Sequence, residues 1–337
     1  MTRITRTLLI ALGAGLLAGG TPADAATYRW VDDNGVVTYS DRPPQPREAP
    51  PAPAAASAAD ATAPGAVAAD RATIDELLDV SGLKRQLAPI TTRIRSEFHA
   101  QHGQLAARDL ARAEQITARH VRTETVYGLI AEGIGKRSDA AKLAAALAWY
   151  RSPVGRRITE LEVAFSRSSG TEREIERYVG RLQQSPPARE RLALVQRLDA
   201  AGRATETSLD VSMAIIRSLA SAVDPYLPAE RRLSRSQLES RIRQVRAQVF
   251  EQVRRLSFVM MLFIYRDVSD ADLARYVAFA ESEPGQWYVS AVSGAFVDAV
   301  GGIARGAATD LVRAVPPERW QQGGGFKKPA LPKETAL

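Results

Sequence analysis

The sequence predicts a mainly α-helical protein, in which two related helical bundle units follow a small β-hairpin and a disordered Ala/Pro-rich linker. Two observations predict this fold class. Residues 73–314 are rich in alanine, leucine, arginine and glutamate, which favour helices, and they lack the alternation typical of strands. A stretch of this region also recurs later in the chain with the same internal spacing, which indicates an internal duplication.

The N-terminus has the features of a secretory signal peptide, assigned to residues 1–25. Arg3 and Arg6 precede an apolar stretch from Leu8 to Ala18, and the alanines on either side of Asp24 supply the small residues that a signal peptidase reads. As a helix this stretch would rise about 17 Å, roughly half of a bilayer core, so a retained anchor is only the alternative. We therefore expect a periplasmic or secreted protein that is not integral to the membrane after cleavage.

The composition limits the chemistry and the partners of the protein. The chain has no cysteine, which excludes disulfides, thiolate metal sites, a catalytic thiol and a lipoprotein anchor. Its formal net charge of +7 is compatible with an anionic partner, and an ordinary solvated surface is the alternative. Nucleic acid is not expected in this compartment. The expected partners are an unknown envelope protein, an anionic lipid surface or a cell-wall component.

Residues 26–48 are expected to form the β-hairpin module. Bulky and polar residues alternate on both sides of Asn34-Gly35, a dipeptide that favours a type I′ turn because both of its residues accept positive φ. A two-residue loop would place Trp30 opposite Tyr39 as an aromatic cross-strand pair. Because a lone two-stranded hairpin is marginal in water, it would dock on the helical body or on a partner.

The same residues carry a resemblance to a known family. They match the domain of unknown function 4124 in two motifs, Tyr28-x-Trp30-x-Asp32-x-x-Gly35 and Tyr39-Ser40-Asp41-x-Pro43-Pro44. This family is a short module found just after signal peptides in exported bacterial proteins. The resemblance implies location and a small β-element, and it implies no activity.

Composition divides the rest of the chain into five segments. Residues 49–72 are the Ala/Pro-rich linker, which cannot bury a core. Residues 73–168 are helical repeat 1, residues 169–190 a connector, and residues 191–314 helical repeat 2. Residues 315–337 contain a run of glycines with scattered proline and lysine, so they are expected to form a flexible tail.

The two repeats share a motif that predicts a helix, a tight corner and a second helix. In each copy an aromatic residue precedes a serine, a proline and a glycine, and the copies are Trp149, Ser152, Pro153 and Gly155, then Phe279, Ser282, Pro284 and Gly285. The serine is expected to cap the outgoing helix, with the proline in its first turn. The aromatic ring is expected to fill the gap between helices. A binding site at the corner is the alternative.

This motif also resembles a family, the domain of unknown function 2059. The resemblance rests on the corner motif Trp149-Tyr150-x-Ser152-Pro153-x-Gly155-Arg156 and on the leucine-rich opening near Leu77-Leu78. Members are exported, mostly helical bacterial proteins, and the family offers no catalytic residues to carry over. In the second repeat the resemblance is fainter, because Ala280 replaces Tyr150.

No catalytic set is recognisable in the sequence, and no cofactor is predicted. Motifs for nucleotide binding, serine nucleophiles and zinc proteases are absent. His99 and His102 are neighbours on one helical face and could contribute to a zinc site, but a solvated face is expected and no metal is assigned. Glu160 and Glu162 have the residue types of a glycosidase pair, and the sequence does not distinguish them from ordinary surface acids.

Residues 238–256 carry an apolar stripe at helical spacing with arginines between its members. Because the stripe will turn inward, the guanidinium groups are expected to face water or a partner. Arg241, Arg243 and Arg246 are the candidate face for an anionic partner, and a solvated surface is the alternative. The segment that follows, Phe258 to Ile264, is apolar all round and is expected to be the most buried.

Together these features favour a non-enzymatic binding or scaffold protein of the bacterial envelope. The alternative is a cell-wall-associated enzyme or a peptidoglycan-binding protein, which the compartment and the positive charge suggest.

Overall fold

The computed structural model describes two short strands and residues 71–102, 105–168 and 172–322. The predicted signal peptide, most of the predicted linker and residues 323–337 lie outside the described residues. The described residues are mainly helical, as predicted. The strands and the helices belong to two separate compact units.

Strands β1 (Tyr28–Val31) and β2 (Val37–Ser40) pair antiparallel. Trp30 lies opposite Thr38 rather than Tyr39, so the predicted aromatic pair is wrong. Val31 pairs with Val37, and residues 32–36 between them are not among those that the structure describes. The predicted turn at Asn34-Gly35 falls among those residues, outside the described part of the chain.

The helices follow one another with short connections. The first six are α1 (Arg71–Val80), α2 (Leu83–His102), α3 (Ala107–His120), α4 (Thr123–Gly135), α5 (Ala140–Arg151) and α6 (Pro153–Arg167). The next four are α7 (Glu172–Gln184), α8 (Arg189–Gly202), α9 (Ala204–Val223) and α10 (Arg235–Ile264), and short 3-10 turns at Asp224–Tyr226 and Ala229–Arg231 precede α10. The last three are α11 (Asp270–Glu281), α12 (Glu283–Ala314) and α13 (Pro317–Gln322).

Helix α7 lies inside the predicted connector, and α13 lies inside the predicted flexible tail. Helix α7 is held because its apolar side, which includes the buried Ile175, packs toward the C-terminal end of α10. Helix α13 is held because Trp320 donates from its indole nitrogen to the carbonyl of Val315 at 2.6 Å and packs edge-on against His102. In both segments a few apolar contacts order residues whose composition alone indicates a loop.

Two large apolar clusters form the core, and each draws on both predicted repeats. The first cluster joins α1, α2, α4 and α5 to Ala295 and Ala299 of α12. The second joins α8, α10 and α11 to Ile158 of α6. The predicted bundle units are therefore not separate bundles, because each completes the core of the other.

Helix α12 is the central helix of this body. It contacts α3, α4, α5, α8, α9 and α11. A side-chain carbon at Gly133 of α4 would lie 2.8 Å from the Cβ of Ala295, so small residues allow α4 and α12 to approach closely. Among the described residues, α12 is also long and apolar enough to cross a bilayer by length and composition, and only 17 % of its most apolar window is buried.

The apolar segment at the end of α10 is only partly buried. Met261, Leu262 and Phe263 are buried, whereas Phe258, Val259 and Met260 are half-buried. The residues with no exposed surface lie elsewhere, among them Leu77 and Leu78 of α1. The prediction that Phe258 to Ile264 is the most buried segment is therefore wrong, because the chain passes at the edge of the second cluster.

Helix order and helix contacts recur in the two halves. Helices α1 and α2 are joined at Gly82 with φ of 75°, and α8 and α9 at Arg203 with φ of 52°. In the first half, α1 contacts α4 and α5, and α2 contacts α6. In the second half, the equivalent contacts are those of α8 with α10 and α11, and of α9 with α12. The last helices of the two halves, α6 and α12, each contact the other half in an equivalent way. Helix α12 contacts α4 and α5, and α6 contacts α10 and α11.

Candidate functional site

The two helix corners have the same local structure. Ser152 caps α6 by accepting from the backbone nitrogen of Gly155 at 3.0 Å, and Ser282 caps α12 by accepting from Gly285 at 3.3 Å. A proline lies in the first turn of each outgoing helix, where the missing N–H costs no helical hydrogen bond. The predicted caps are confirmed.

Each corner also requires a glycine at one position. A side-chain carbon at Gly155 would overlap the carbonyl oxygen of Trp149, and one at Gly285 would overlap that of Phe279. The backbone of the outgoing helix therefore approaches the end of the incoming helix too closely for any side chain. The serine, proline and glycine of the motif are accounted for by this geometry.

The aromatic residues of the two corners meet each other. The rings of Trp149 and Phe279 are stacked, with centroids 4.7 Å apart and planes within 11°. Both residues are half-buried. The corners thus pack against one another through their equivalent side chains.

Tyr276, whose ring is stacked with that of Trp149 at a centroid distance of 6.2 Å, connects the corners to Glu162. The Oε1 atom of Glu162 accepts hydrogen bonds from the hydroxyls of Tyr265 at 2.7 Å and Tyr276 at 3.1 Å. Glu160, two positions earlier, is exposed and pairs with Arg85 at 2.7 Å. The structure distinguishes the two acids that the sequence leaves alike, because Glu160 lies at the surface and the carboxyl of Glu162 is bound by two tyrosine hydroxyls.

Burial dominates the titration of this cluster. It raises the pKa of Glu162, and the hydroxyls of Tyr265 and Tyr276 offset this only in part by donating to the carboxylate. Burial also raises the pKa of Tyr265, Tyr276 and Tyr150 well above the ordinary value. The cluster is thus a carboxyl group whose pKa is raised by burial beside tyrosine hydroxyls, and carboxyl groups with perturbed pKa values occur most often at functional sites.

Two polar side-chain atoms of α5 and α6 are buried without a hydrogen-bond partner among the described residues. They are the indole nitrogen of Trp149 and the hydroxyl of Thr159.

Sequence reasoning could not find the cluster of Glu162 with Tyr265 and Tyr276, because Glu162 contacts these tyrosines only where α6 packs against the segment from α10 to α11.

The predicted arginine face is not a single face. Positions 241 and 243 lie about 160° apart around α10, one on each side of its apolar stripe. Arg246 lies beside the stripe and pairs with Asp210 at 2.5 Å. The structure therefore does not bring Arg241, Arg243 and Arg246 together.

A different group of arginines gathers near the N-terminal end of α10. Arg217 binds Glu239 through two hydrogen bonds of 2.7 and 2.9 Å. Arg217, Arg235 and Arg243 together lower the pKa of Glu239, with the Arg217 hydrogen bond as the main cause. One carboxylate thus lies among three guanidinium groups, which leaves an excess of positive charge.

The three histidines do not converge on a metal site. The Nδ1 of His99 contacts Glu114, whereas the Nδ1 of His102 lies 3.0 Å from the carbonyl oxygen of Phe98. His120 contacts Asp310 through Nε2 at 2.8 Å, and its ring occupies the space over Gly306. Among the residues that the structure describes, no group of three or more His, Cys, Asp or Glu side chains is placed to hold a metal.

Comparison with known proteins assigns only the N-terminal part of the chain. Residues 14–72 match the family model described as domain of unknown function (DUF4124), as the hairpin motifs predict. A search of the curated proteins and a search of the solved structures each found no significant match. The family match covers a minor share of the chain and leaves the helical body without an assigned family.

Proposed function

We propose that this protein is an exported, non-enzymatic scaffold or binding protein of the bacterial envelope. Its N-terminal region resembles a module that follows signal peptides, and residues 14–72 match that family. The residues of the shared corner motif have structural roles, as caps, close backbone contacts and a ring stack. Sequencing the N-terminus of periplasmic protein tests export: a start at or near Ala26 supports it, and an intact Met1 in the membrane pellet contradicts it.

The arginine group near the start of α10 is the proposed binding surface. The observation that carries this proposal is the imbalance around Glu239, where one carboxylate lies among Arg217, Arg235 and Arg243. Arg235 and Arg243 are exposed and form no ion pair within the described part of the chain. Their planar guanidinium groups suit the carboxylates and phosphates of an envelope surface.

Binding to anionic vesicles and to cell-wall fragments, at low and high salt, tests this surface. Arg235→Gln with Arg243→Gln should weaken binding strongly at low salt, since electrostatic attraction acts over about 8 Å at physiological ionic strength. Arg305→Gln, which removes an exposed charge from α12, is the control. Equal binding by the double variant and wild type, or no binding at low salt, would refute the proposed surface.

We also propose that the helical body arose by duplication, with α1–α6 corresponding to α8–α12. The matched corners, the matched order of helix contacts and the stacking of Trp149 on Phe279 support it, because equivalent residues meet where two like units pack about a twofold axis. The break between α3 and α4 has no counterpart in the continuous α10. The hairpin as an independent module and the resemblance to the domain of unknown function 2059 remain predictions.

A cell-wall-associated enzyme or a peptidoglycan-binding protein is the second candidate. The enclosed carboxyl of Glu162 favours the enzyme, because a raised carboxyl pKa is typical of general acids. Against it, Glu162 already accepts two tyrosine hydrogen bonds. Digestion of purified peptidoglycan by wild type, and its loss in Glu162→Gln at unchanged fold, would favour the enzyme over the scaffold.

A further inference from the structure

A shallow groove lies between α7 and the C-terminal end of α10, far along α10 from the surface discussed above. It has a volume of about 280 Å³ and is lined by Glu174, Arg177, Arg181, Phe263 and Arg266. Its two walls are joined by Tyr178, whose hydroxyl donates to the carbonyl of Leu262 at 3.0 Å. The groove is therefore held between two connected helices.

The guanidinium groups of the groove are held by contacts that leave their donors free. The Arg266 guanidinium lies 4.2 Å from the ring centroid of Phe263 and donates through Nη1 to the carbonyl of Phe263 at 2.7 Å. The Arg181 guanidinium lies 5.6 Å from the ring of Tyr178. Arg177 donates through Nε to the carbonyl of Arg173 at 3.2 Å, and its other guanidinium nitrogens have no hydrogen bond to a described residue. Rings and carbonyls orient these side chains without neutralising their charge.

The positive charge of the groove is poorly balanced. Within the described residues, Arg177 and Arg181 form no ion pair, and Arg266 reaches only its chain neighbour Asp267, at 3.4 Å. Arg191, by contrast, forms an ion pair with Asp270 at 2.5 Å. Arg191, Arg266 and Arg181 all act to lower the pKa of the Tyr178 hydroxyl, although burial, with a smaller effect of Asp267, outweighs them. Three guanidinium groups, those of Arg177, Arg181 and Arg266, therefore line the groove beside one carboxylate, that of Glu174.

We propose that this groove binds a phosphate group through Arg177, Arg181 and Arg266. Planar guanidinium groups from two helices can grip several phosphate oxygens, which lysines on one helix would hold less specifically. Glu174 also lines the groove, and its carboxylate would repel the ligand. The phosphate could belong to a soluble molecule or to a lipid headgroup, since both present the same oxygens.

The test uses the full chain and two phosphate probes. Calorimetric titration with inorganic pyrophosphate reports a soluble ligand, and cosedimentation with phosphatidylglycerol vesicles, against phosphatidylcholine vesicles, reports a headgroup. Arg181→Gln and Arg266→Gln should each weaken binding of whichever probe binds by about tenfold, the loss expected for a hydrogen bond to a charged group. Glu174→Gln should strengthen binding. Arg305→Gln should leave it unchanged.

Binding of pyrophosphate alone, weakened in Arg181→Gln and Arg266→Gln, identifies a soluble phosphate, and binding of phosphatidylglycerol alone, weakened in the same two variants, identifies a headgroup. Binding that neither variant weakens takes place elsewhere on the protein and overturns the proposal. Failure of both probes to bind overturns the proposal. An equal loss of affinity in Arg305→Gln also overturns it, because binding would then follow net charge and not the groove. Since Arg235 and Arg243 line no part of this groove, its failure would not affect the proposed surface near Glu239.

Discussion

At the scale of single residues, the most informative side chain is Glu162. A carboxyl that loses water on folding favours its protonated form, so folding raises its pKa above the ordinary value of 4.5. The hydrogen bonds from the two tyrosine hydroxyls reduce this rise in the pKa and do not cancel it. The folded state therefore holds a proton that the unfolded chain releases at lower pH.

This predicts how stability changes with pH. The contribution of Glu162 is fully present below pH 4.5 and is lost as pH rises toward the folded pKa, because the folded state then binds the extra proton. Glu162→Gln, which cannot ionise, should lack this decline, so its free energy of unfolding relative to wild type should rise as the pH increases above 4.5. Urea unfolding of wild type and Glu162→Gln at several pH values measures this difference in the free energy of unfolding.

Glu160→Gln is the matched control for that comparison. Glu160 lies on the same helix, and its side chain is exposed and paired with Arg85. Its substitution should not remove the decline. If Glu162→Gln and wild type show the same dependence on pH, the carboxyl is hydrated and the enclosed cluster is wrongly described.

A second residue-scale prediction concerns the stacked rings of Trp149 and Phe279. Because both are half-buried, each change to alanine should cost about 2–3 kcal/mol, less than for a fully buried ring. The double variant should show a coupling energy of about 1 kcal/mol, as for other stacked aromatic pairs. Chemical denaturation of the four proteins gives this energy.

Trp320 provides the control for the double-mutant cycle. It packs near His102 and makes no ring contact with Phe279, so Trp320→Ala and Phe279→Ala should be additive. Additive effects of Trp149→Ala and Phe279→Ala as well would mean that the stack contributes nothing beyond burial.

At the scale of elements, the corners depend on the close approach at Gly155 and Gly285. Alanine at either position must displace a backbone carbonyl, so each substitution should destabilise the protein by at least about 2 kcal/mol. Gly302, an exposed position of α12 with open space around it, is the control. Gly302→Ala should stabilise by up to about 1 kcal/mol through helix propensity. Thermal unfolding of Gly155→Ala, Gly285→Ala and Gly302→Ala measures these effects. Melting temperatures equal to that of wild type for the two corner variants would show that the corners tolerate a side chain.

The corners also show which elements a sequence can predict. Ser152 and Ser282 act on backbone groups three residues away, so the local pattern contains all the information that the cap requires. Helix α7 escaped prediction because its order comes from contacts with α10, a distant part of the chain. The register of β1 and β2 also differed from the prediction, since alternation and a turn dipeptide do not determine loop length.

The candidate sites follow the same rule. Arg241, Arg243 and Arg246 are close in sequence, yet the helical rotation separates two of them and Asp210 occupies the third. The Glu162 cluster and the groove near Arg266 each combine residues from distant helices. Periodicity identifies the helix on which a residue lies, and only the packing of helices identifies its neighbours.

At the scale of the whole molecule, the two halves of the helical body interlock. Arg137 binds Asp298 at 2.7 Å, and Lys142 binds Glu283 at 2.9 Å. The indole nitrogen of Trp287 donates to the carbonyl of Arg137 at 2.9 Å. These contacts are largely exposed and contribute little by themselves. The shared apolar clusters supply most of the energy that joins the halves.

This interlocking is the central claim, and two fragments test it most directly. Residues 71–168 alone lack α12 and so expose the apolar face that Ala295 and Ala299 cover. Residues 172–322 alone lack α6 and its Ile158. We predict that each fragment is helical by circular dichroism without a cooperative thermal transition, and that mixing them restores one transition. Cooperative unfolding of residues 71–168 alone, unchanged when the second fragment is added, would contradict the account.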